Sequence, residues 1–278
     1  MTDLLVGFDS AWTAANSGAL IGLVREDDGS FKELGLPEIV NYCQAEKRIL
    51  EWQVREKPAT TLVLLDQPTI VKNTAGQRPV ENLVATPVSR RYGGVQPAST
   101  SRTDMFGSDA PVWRFLTTFG GPAHPLRPIP GTQVIETYPV LAMIALGWML
   151  PDERPGGRLP KYNPANKKQF RLSDWQYVCR QVSNTLGQRN LPKLTEWLDD
   201  ALQNMAPRKS DQDKLDACLC LVVALHMTEL GECLMVGDQD TGYIVVPNGT
   251  DLFDELLVRC EKTGRTPEQW VRIFKYEN

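Results

Sequence analysis

Leu4-Leu5-Val6-Gly7-Phe8 is a short apolar run that stops on Asp9-Ser10. Two further runs follow, Gly18 to Val24 and 31 to 36, separated by the turn residues Asp27, Asp28 and Gly29. Short apolar segments punctuated by turn formers predict a three-strand antiparallel meander. Pro37 then sits at a favourable first-turn position, and Ile39, Val40, Tyr42, Cys43, Ile49, Leu50 and Val54 recur at helical spacing, so a helix is expected over 37 to 57. Thr61-Leu62-Val63-Leu64-Leu65 before Asp66 lacks polar alternation, the pattern of a strand covered on both faces.

Beyond this opening the chain becomes irregular. Residues 67 to 131 are rich in Pro, Gly, Ser and Thr, with helical candidates only near 79 to 91 and 110 to 119. An irregular stretch of that length inside a domain is usually functional or mobile. Thr132 to Glu136 resume a strand and Pro139 to Leu150 predict a helix; a Pro/Gly-rich segment, 151 to 166, leads to helices over 173 to 187, 192 to 204 and 211 to 230. The end reads as a hairpin, 233 to 237 with 242 to 246, followed by two short helices, 250 to 262 and 267 to 275. The expected architecture is an α/β fold with an RNase H-like mixed five-stranded sheet flanked by helices, the first strand lying centrally beside the fourth. It is expected as a single domain, 1 to 278, with an irregular insertion at 67 to 131, a helical insertion at 151 to 205 and C-terminal additions at 231 to 278.

The 278 residues exceed the usual single-domain size of about 100 to 150. A formal net charge of −4 argues against coating nucleic acid through bulk charge, so a polymeric substrate must be met by a local groove. Six cysteines without a Cys-x-x-Cys pair, and two distant histidines, His124 and His226, make a zinc site a poor expectation. Met1-Thr2-Asp3 opens without a basic region, and the longest apolar stretches fall short of the roughly 20 residues of a membrane span. A reduced, cytoplasmic protein with no membrane partner is the expectation.

Five carboxylates stand out against this background. Asp9, Asp66 and Glu136 each close a strand-like run, and Asp213 and Asp216 open a long apolar helix. Acids at the ends of apolar segments are costly to bring together unless cations or hydrogen bonds compensate them. Each has a plainer reading too: Asp9 and Asp66 as turn residues, Asp213 as the last member of a Ser210-Asp-Gln-Asp213 capping box, and Glu136 as the partner of an arginine. Asp216 is hardest to dismiss, because the residues after it are apolar all round. Positions three apart share a helix face, so Asp213 and Asp216 can converge on one ion.

Phe8-Asp9-Ser10, Leu65-Asp66-Gln67-Pro68, Val134-Ile135-Glu136-Thr137-Tyr138-Pro139, Lys214-Leu215-Asp216-Ala217 and Gly242-Tyr243-Ile244-Val245-Val246-Pro247 together resemble the family called domain of unknown function 429, described as RNase H-like nucleases. The Asp213-x-x-Asp216 spacing is similar to the paired aspartates of Holliday-junction resolvases. The resemblance implies a divalent-metal-dependent phosphodiester hydrolase, a nuclease, using Mg²⁺ or Mn²⁺ on Asp9, Asp66 and Asp216, with Asp213 and Glu136 completing the catalytic set. A nucleic acid or another phosphate-bearing substrate would be held by Arg90, Arg91 and Arg102 in one basic segment and Lys161, Lys167 and Lys168 in another, with Tyr92, Trp113 and Tyr162 available for stacking. The competing readings are an actin-like sugar kinase or ATPase, whose phosphate loops need glycines that Ala11-Trp12-Thr13 lacks, and a non-catalytic nucleic-acid-binding module of the same fold.

Overall fold

The computed structural model describes residues 2–229 and 231–276. Its main sheet is mixed and six-stranded: β1 (Asp3–Asp9), β2 (Gly18–Arg25), β3 (Phe31–Glu33), β4 (Glu38–Val40), β5 (Thr60–Leu65) and β6 (Gly131–Glu136). The order is β3-β2-β1-β5-β6, with β4 paired beside β3 on the edge of β2. β1 runs antiparallel to β2 and parallel to β5, which is parallel to β6. Around this sheet lie α1 (Tyr42–Glu56), α2 (Pro79–Arg90), the short α3 (Thr103–Phe106), α4 (Pro111–Thr118), α5 (Pro139–Ala145), α6 (Leu172–Gly187), α7 (Pro192–Gln203) and α8 (Lys209–Thr228). A second, antiparallel sheet has the order β8-β7-β9, from β7 (Glu232–Asp238), β8 (Gly242–Pro247) and β9 (Val271–Lys275), with α9 (Thr250–Lys262) and α10 (Pro267–Trp270) between the last two. Among the described residues no helix is long and apolar enough to cross a membrane.

Side-chain alternation divides the core. Leu4, Val6, Phe8, Val63, Leu65 and Val134 face α1 and α4, where Phe8 meets Tyr42 edge-on at 5.4 Å. Leu5, Leu62, Leu64 and Ile135 face the other way, into the larger core built around α8. Successive strand residues point to opposite faces, so a strand with both faces covered loses its polar alternation.

α8 explains its own composition. From Leu215 to Leu225 every residue is buried, because the helix lies against β1, β2 and β5 with α5 and α6 on its outer sides. It comes so close to β1 that a Cβ on Gly7 would stand 2.1 Å from the Ala217 carbonyl oxygen and 2.6 Å from the Leu221 nitrogen. Backbone meets backbone there, and only glycine leaves the room.

Four expectations are corrected. The main sheet expected with five strands has six, because β4 adds to the edge of β2. The helix expected from Pro37 begins at Tyr42, because Glu38 to Val40 pair with Gly18 to Leu20, and Asn41 caps α1 in a reciprocal box with Gln44. The helix expected over 267 to 275 is one turn followed by β9, whose Val271, Ile273 and Phe274 complete the edge of β7. The helix expected over 139 to 150 ends at Ala145.

Gly7→Val is expected to lower the free energy of unfolding by about 3 kcal/mol or more, since the overpacked groups are backbone and cannot rotate away. Urea denaturation checks it; a variant as stable as the wild type would mean that α8 is not seated on β1.

Candidate functional site

Strand register brings the first acids together. Phe8 pairs with Leu65, and the Asp66 nitrogen donates to the Phe8 carbonyl at 2.9 Å, so Asp9 and Asp66 leave adjacent parallel strands at the same end. Both have the parity of Leu5, Leu62 and Leu64, the face that meets α8. The N-terminal turns of α8 deliver Asp213 and Asp216 to that end, and Asp9, Asp66, Asp213, Asp216 and Glu136 all line one cleft of about 650 Å³. The cleft also holds Lys209.

The five acids are not equivalent. Glu136 has the parity of Val134, not of Ile135. Both its oxygens are taken by buried Arg78, at 2.6 and 3.0 Å, and the Thr69 nitrogen adds a third bond at 2.9 Å. Arg78 is bound on its other side by buried Glu81, which also accepts from the Arg78 and Ala98 nitrogens. Glu136 therefore realises the arginine-paired reading. Asp213 is not the acid of the capping box; Asp211 is, accepting from the nitrogen of the N-cap residue Arg208 at 2.8 Å, and Asp213 forms an ion pair with Lys209 one turn back.

Asp9, Asp66 and Asp216 are the strained group. Burial pushes the Asp9 carboxyl well above the usual range, and Asp216, Asp66 and Asp213 push it further. Asp66 is raised by burial and then by Asp216 and Glu136. Asp216 is raised by burial to about 6, against the opposing pull of Lys209 and of two hydrogen bonds, from the Tyr162 hydroxyl and the Gln212 amide, both 2.6 Å. Burial works to lower the half-exposed Lys209, but Asp216, Asp213 and Asp9 hold it above its ordinary value. Among the described residues no hydrogen bond reaches the Asp9 or Asp66 carboxyl groups, which leaves their oxygens open to the cleft.

The loops behind the acids are fixed. Trp12 takes a left-handed conformation, φ 59°, and its indole donates to the Asp66 carbonyl at 3.0 Å. Ser10 and Tyr42 both donate to the Gln67 side-chain oxygen, leaving the buried Gln67 amide nitrogen without a partner.

The donor set consists of carboxylate oxygens with no thiol or imidazole lining the cleft, which is the chemistry of Mg²⁺ or Mn²⁺ and not of zinc. The side chains as they stand are not a closed coordination shell: among the described residues no group of three or more His, Cys, Asp or Glu is arranged to hold a metal. Lys209 supplies the positive charge instead. Carboxyl groups that face the cleft, raised first by burial and then by neighbouring acids, fit a cation that would offset both.

The basic residues divide. Arg91 is buried and makes a two-pronged ion pair with Glu255, tying α2 to α9, so it is not presented to a substrate. Arg90 is exposed beside it, and Arg102 precedes α3 without lining the cleft. Lys161 donates to the Tyr92 carbonyl at a smaller adjoining pocket; Lys167 and Lys168 are exposed and line neither cavity. Trp113 packs against Phe106, whereas Tyr162 belongs to the site through Asp216. Lys209 and Gln212 escaped the sequence reading, although each stands four residues before an acid on one helix face.

A model of the family described as "Protein of unknown function (DUF429)" matches residues 7–241. Comparison with curated proteins and with solved structures finds no match.

For Asp9→Asn, removal of a buried, repelled charge is expected to raise the melting temperature in EDTA at pH 8. A carboxyl whose pKa is raised on folding penalises the folded state above that pKa, and the penalty vanishes as pH falls through it toward the ordinary value. The advantage of Asp9→Asn over the wild type should therefore shrink between pH 8 and pH 4. Scanning calorimetry at both values checks it; a variant less stable than the wild type at pH 8 contradicts the assigned repulsion.

Proposed function

The chain belongs to the DUF429 family, and from the site itself we propose that it is a divalent-metal-dependent phosphodiester hydrolase, a nuclease built on an RNase H-like core. The observation that carries the reading is the convergence of Asp9, Asp66 and Asp216 in one cleft, with carboxyl groups raised by burial, from two adjacent strands and the helix packed across them. The strand order supports the fold assignment: with β4 set aside as an edge addition, the sheet is mixed and five-stranded, and its first strand lies between the second and the next long parallel strand.

Asp9, Asp66 and Asp216 would hold the divalent cations, with Asp213 available to them once Lys209 released it. Divalent cations held there would supply charge stabilisation for the attacking and leaving oxygens of a phosphodiester displacement. The chain's own groups prepare the site. Tyr162 and Gln212 fix the rotamer of Asp216, and Trp12 fixes the backbone of Asp66. Lys209, on a flexible stem at the cleft, can exchange Asp213 for a substrate phosphate. Glu136 holds the wall of the site through Arg78 and is left outside the ligand set.

The kinase or ATPase alternative draws no support from the turn after β1. The left-handed position there is filled by Trp12, whose indole lies where a glycine-rich loop would need open backbone.

The test is cleavage of DNA, RNA, hybrid and branched substrates with Mg²⁺ or Mn²⁺. Asp9→Asn is expected to reduce cleavage by about 10²-fold or more, the scale of a positioned catalytic group, and to abolish the rise in melting temperature that metal gives the wild type. Undiminished cleavage by Asp9→Asn would falsify the assignment. Metal stabilisation without cleavage of any substrate would favour the non-catalytic module.

A further inference from the structure

Beside the carboxylate cleft lies a second cavity of about 250 Å³, and the two share Gly94, Val140, Tyr162, Asn163 and Gln212 as a common wall. It is smaller than the roughly 300–1,000 Å³ of sites for drug-sized ligands, so it suits a single ring system. Leu159, Phe170 and Tyr92 give it apolar and aromatic surface, and Asn163, Asn166, Gln169 and Gln212 give it amides.

Two features of this lining set it apart. The first is Gln212: its amide nitrogen donates to Asp216, whereas its amide oxygen is buried and unpartnered, on a side chain that lines both cavities. A buried acceptor without a donor is costly to keep. The second is Tyr92. The chain leaves α2 through paired bonds, Tyr92 nitrogen to Ser89 oxygen at 3.0 Å and Gly93 nitrogen to Val88 oxygen at 2.9 Å, the pattern in which glycine ordinarily takes the left-handed position. Here Tyr92 takes it, with φ 58°, although Gly93 and Gly94 follow at once. The strained residue puts an aromatic ring at the mouth of the cavity, and the Arg154 guanidinium, 4.0 Å from its centroid, covers one face. Strain held at such a place points toward a ligand.

The geometry points to a nucleobase as the occupant: the side cavity receives the base of a nucleotide whose phosphate lies at Asp9, Asp66 and Asp216. An aromatic ring together with several amides is the combination that binds unstacked bases, by stacking and by hydrogen bonds to the ring edge. Asn166 already donates to Gln169 at 3.2 Å, which leaves the Asn166 oxygen and the Gln169 amide nitrogen to face such an edge as acceptor and donor. A base can reach this recess only when it is out of a duplex stack, so the substrate class is single-stranded or locally unpaired nucleic acid. The inference rests on the hydrolase reading only for the placement of the phosphate.

The experiment separates the two. Binding of the four ribonucleoside 5′-monophosphates and of ribose 5-phosphate to the full chain is measured by calorimetry, and cleavage is compared on single strands with a base or an abasic unit at each position. At least one nucleoside monophosphate is expected to bind tenfold or more tightly than ribose 5-phosphate. Gln169→Ala combined with Phe170→Ala should remove about tenfold of that affinity while leaving circular dichroism and the metal-induced melting shift unchanged. Equal binding of ribose 5-phosphate, unchanged binding by the double variant, or no binding of any nucleotide overturns the inference. If Asp9-dependent cleavage persists and ignores every abasic unit, the base site falls and the hydrolase stands; if base-selective binding appears without cleavage, the base site stands and the hydrolase falls.

Discussion

The contact between Gly7 and the backbone of α8 sets the geometry of everything around it. A strand and a helix usually meet through side chains, which hold their axes well apart. Here the Ala217 carbonyl oxygen and the Leu221 nitrogen occupy the volume that a Cβ on Gly7 would need. Asp216 immediately precedes Ala217, and Asp9 lies two residues beyond Gly7 on the same face of β1. The close approach that forbids a side chain at Gly7 thus also forces two acids together. On β2, Gly22 admits the Trp52 ring of α1, whose atoms would lie 2.7 Å from an added Cβ. The central strands are clamped from both faces, and apolar packing offsets the cost of holding ionisable groups in the site.

The charge arrangement follows from that packing. Lys209, Gln212, Asp213 and Asp216 all come from the first two turns of α8, so the unpaired N–H groups and positive dipole end of a 20-residue helix sit at the cleft. That field favours the acids, as does Lys209, but it does not cancel the cost of their burial: Asp9, Asp66 and Asp216 remain raised. A structural cluster would be expected to settle this by pairing each acid, as Glu136 and Glu81 are paired to Arg78. Two solutions to the same problem thus stand side by side. The unsettled one is the one that opens to solvent.

What the sequence disclosed follows from what it encodes locally. Asp9 and Asp66 were legible because each ends an apolar run, and Asp216 because the helix behind it has no polar face. Glu136 was open to two readings, site acid or partner of an arginine, since strand parity is decided by register with β5, a long-range property. Charge counts misled at Arg78 and Arg91, which lie in a basic segment yet point inward to Glu136, Glu81 and Glu255. Composition gives a segment's charge and not its facing direction. The start of α1 was recoverable from Asn41-x-x-Gln44, but the helical spacing of Ile39 and Val40 outweighed it; β9 was not recoverable, because it forms on the edge that β7 offers.

The irregular segment after Asp66 gains its order from the same buried arginine. Arg78 donates to Glu136 on the sheet, to Glu81 on α2 and to the Ile70 carbonyl in the loop, and Glu81 in turn receives the Ala98 nitrogen. One guanidinium therefore joins a strand end, a helix start and two loop positions. Its planar fork of five donors allows this, and a lysine could not replace it. Loop backbone without a sheet or helix ladder must find partners elsewhere, and these acids supply them. The wall of the cleft that faces Asp66 is consequently built rather than draped, and a segment that reads as mobile from its Pro and Gly content is positioned by ionic bonds withdrawn from water. The arginine-bound cluster is also felt at the open acids: Asp66 is raised first by burial and then partly by Glu136.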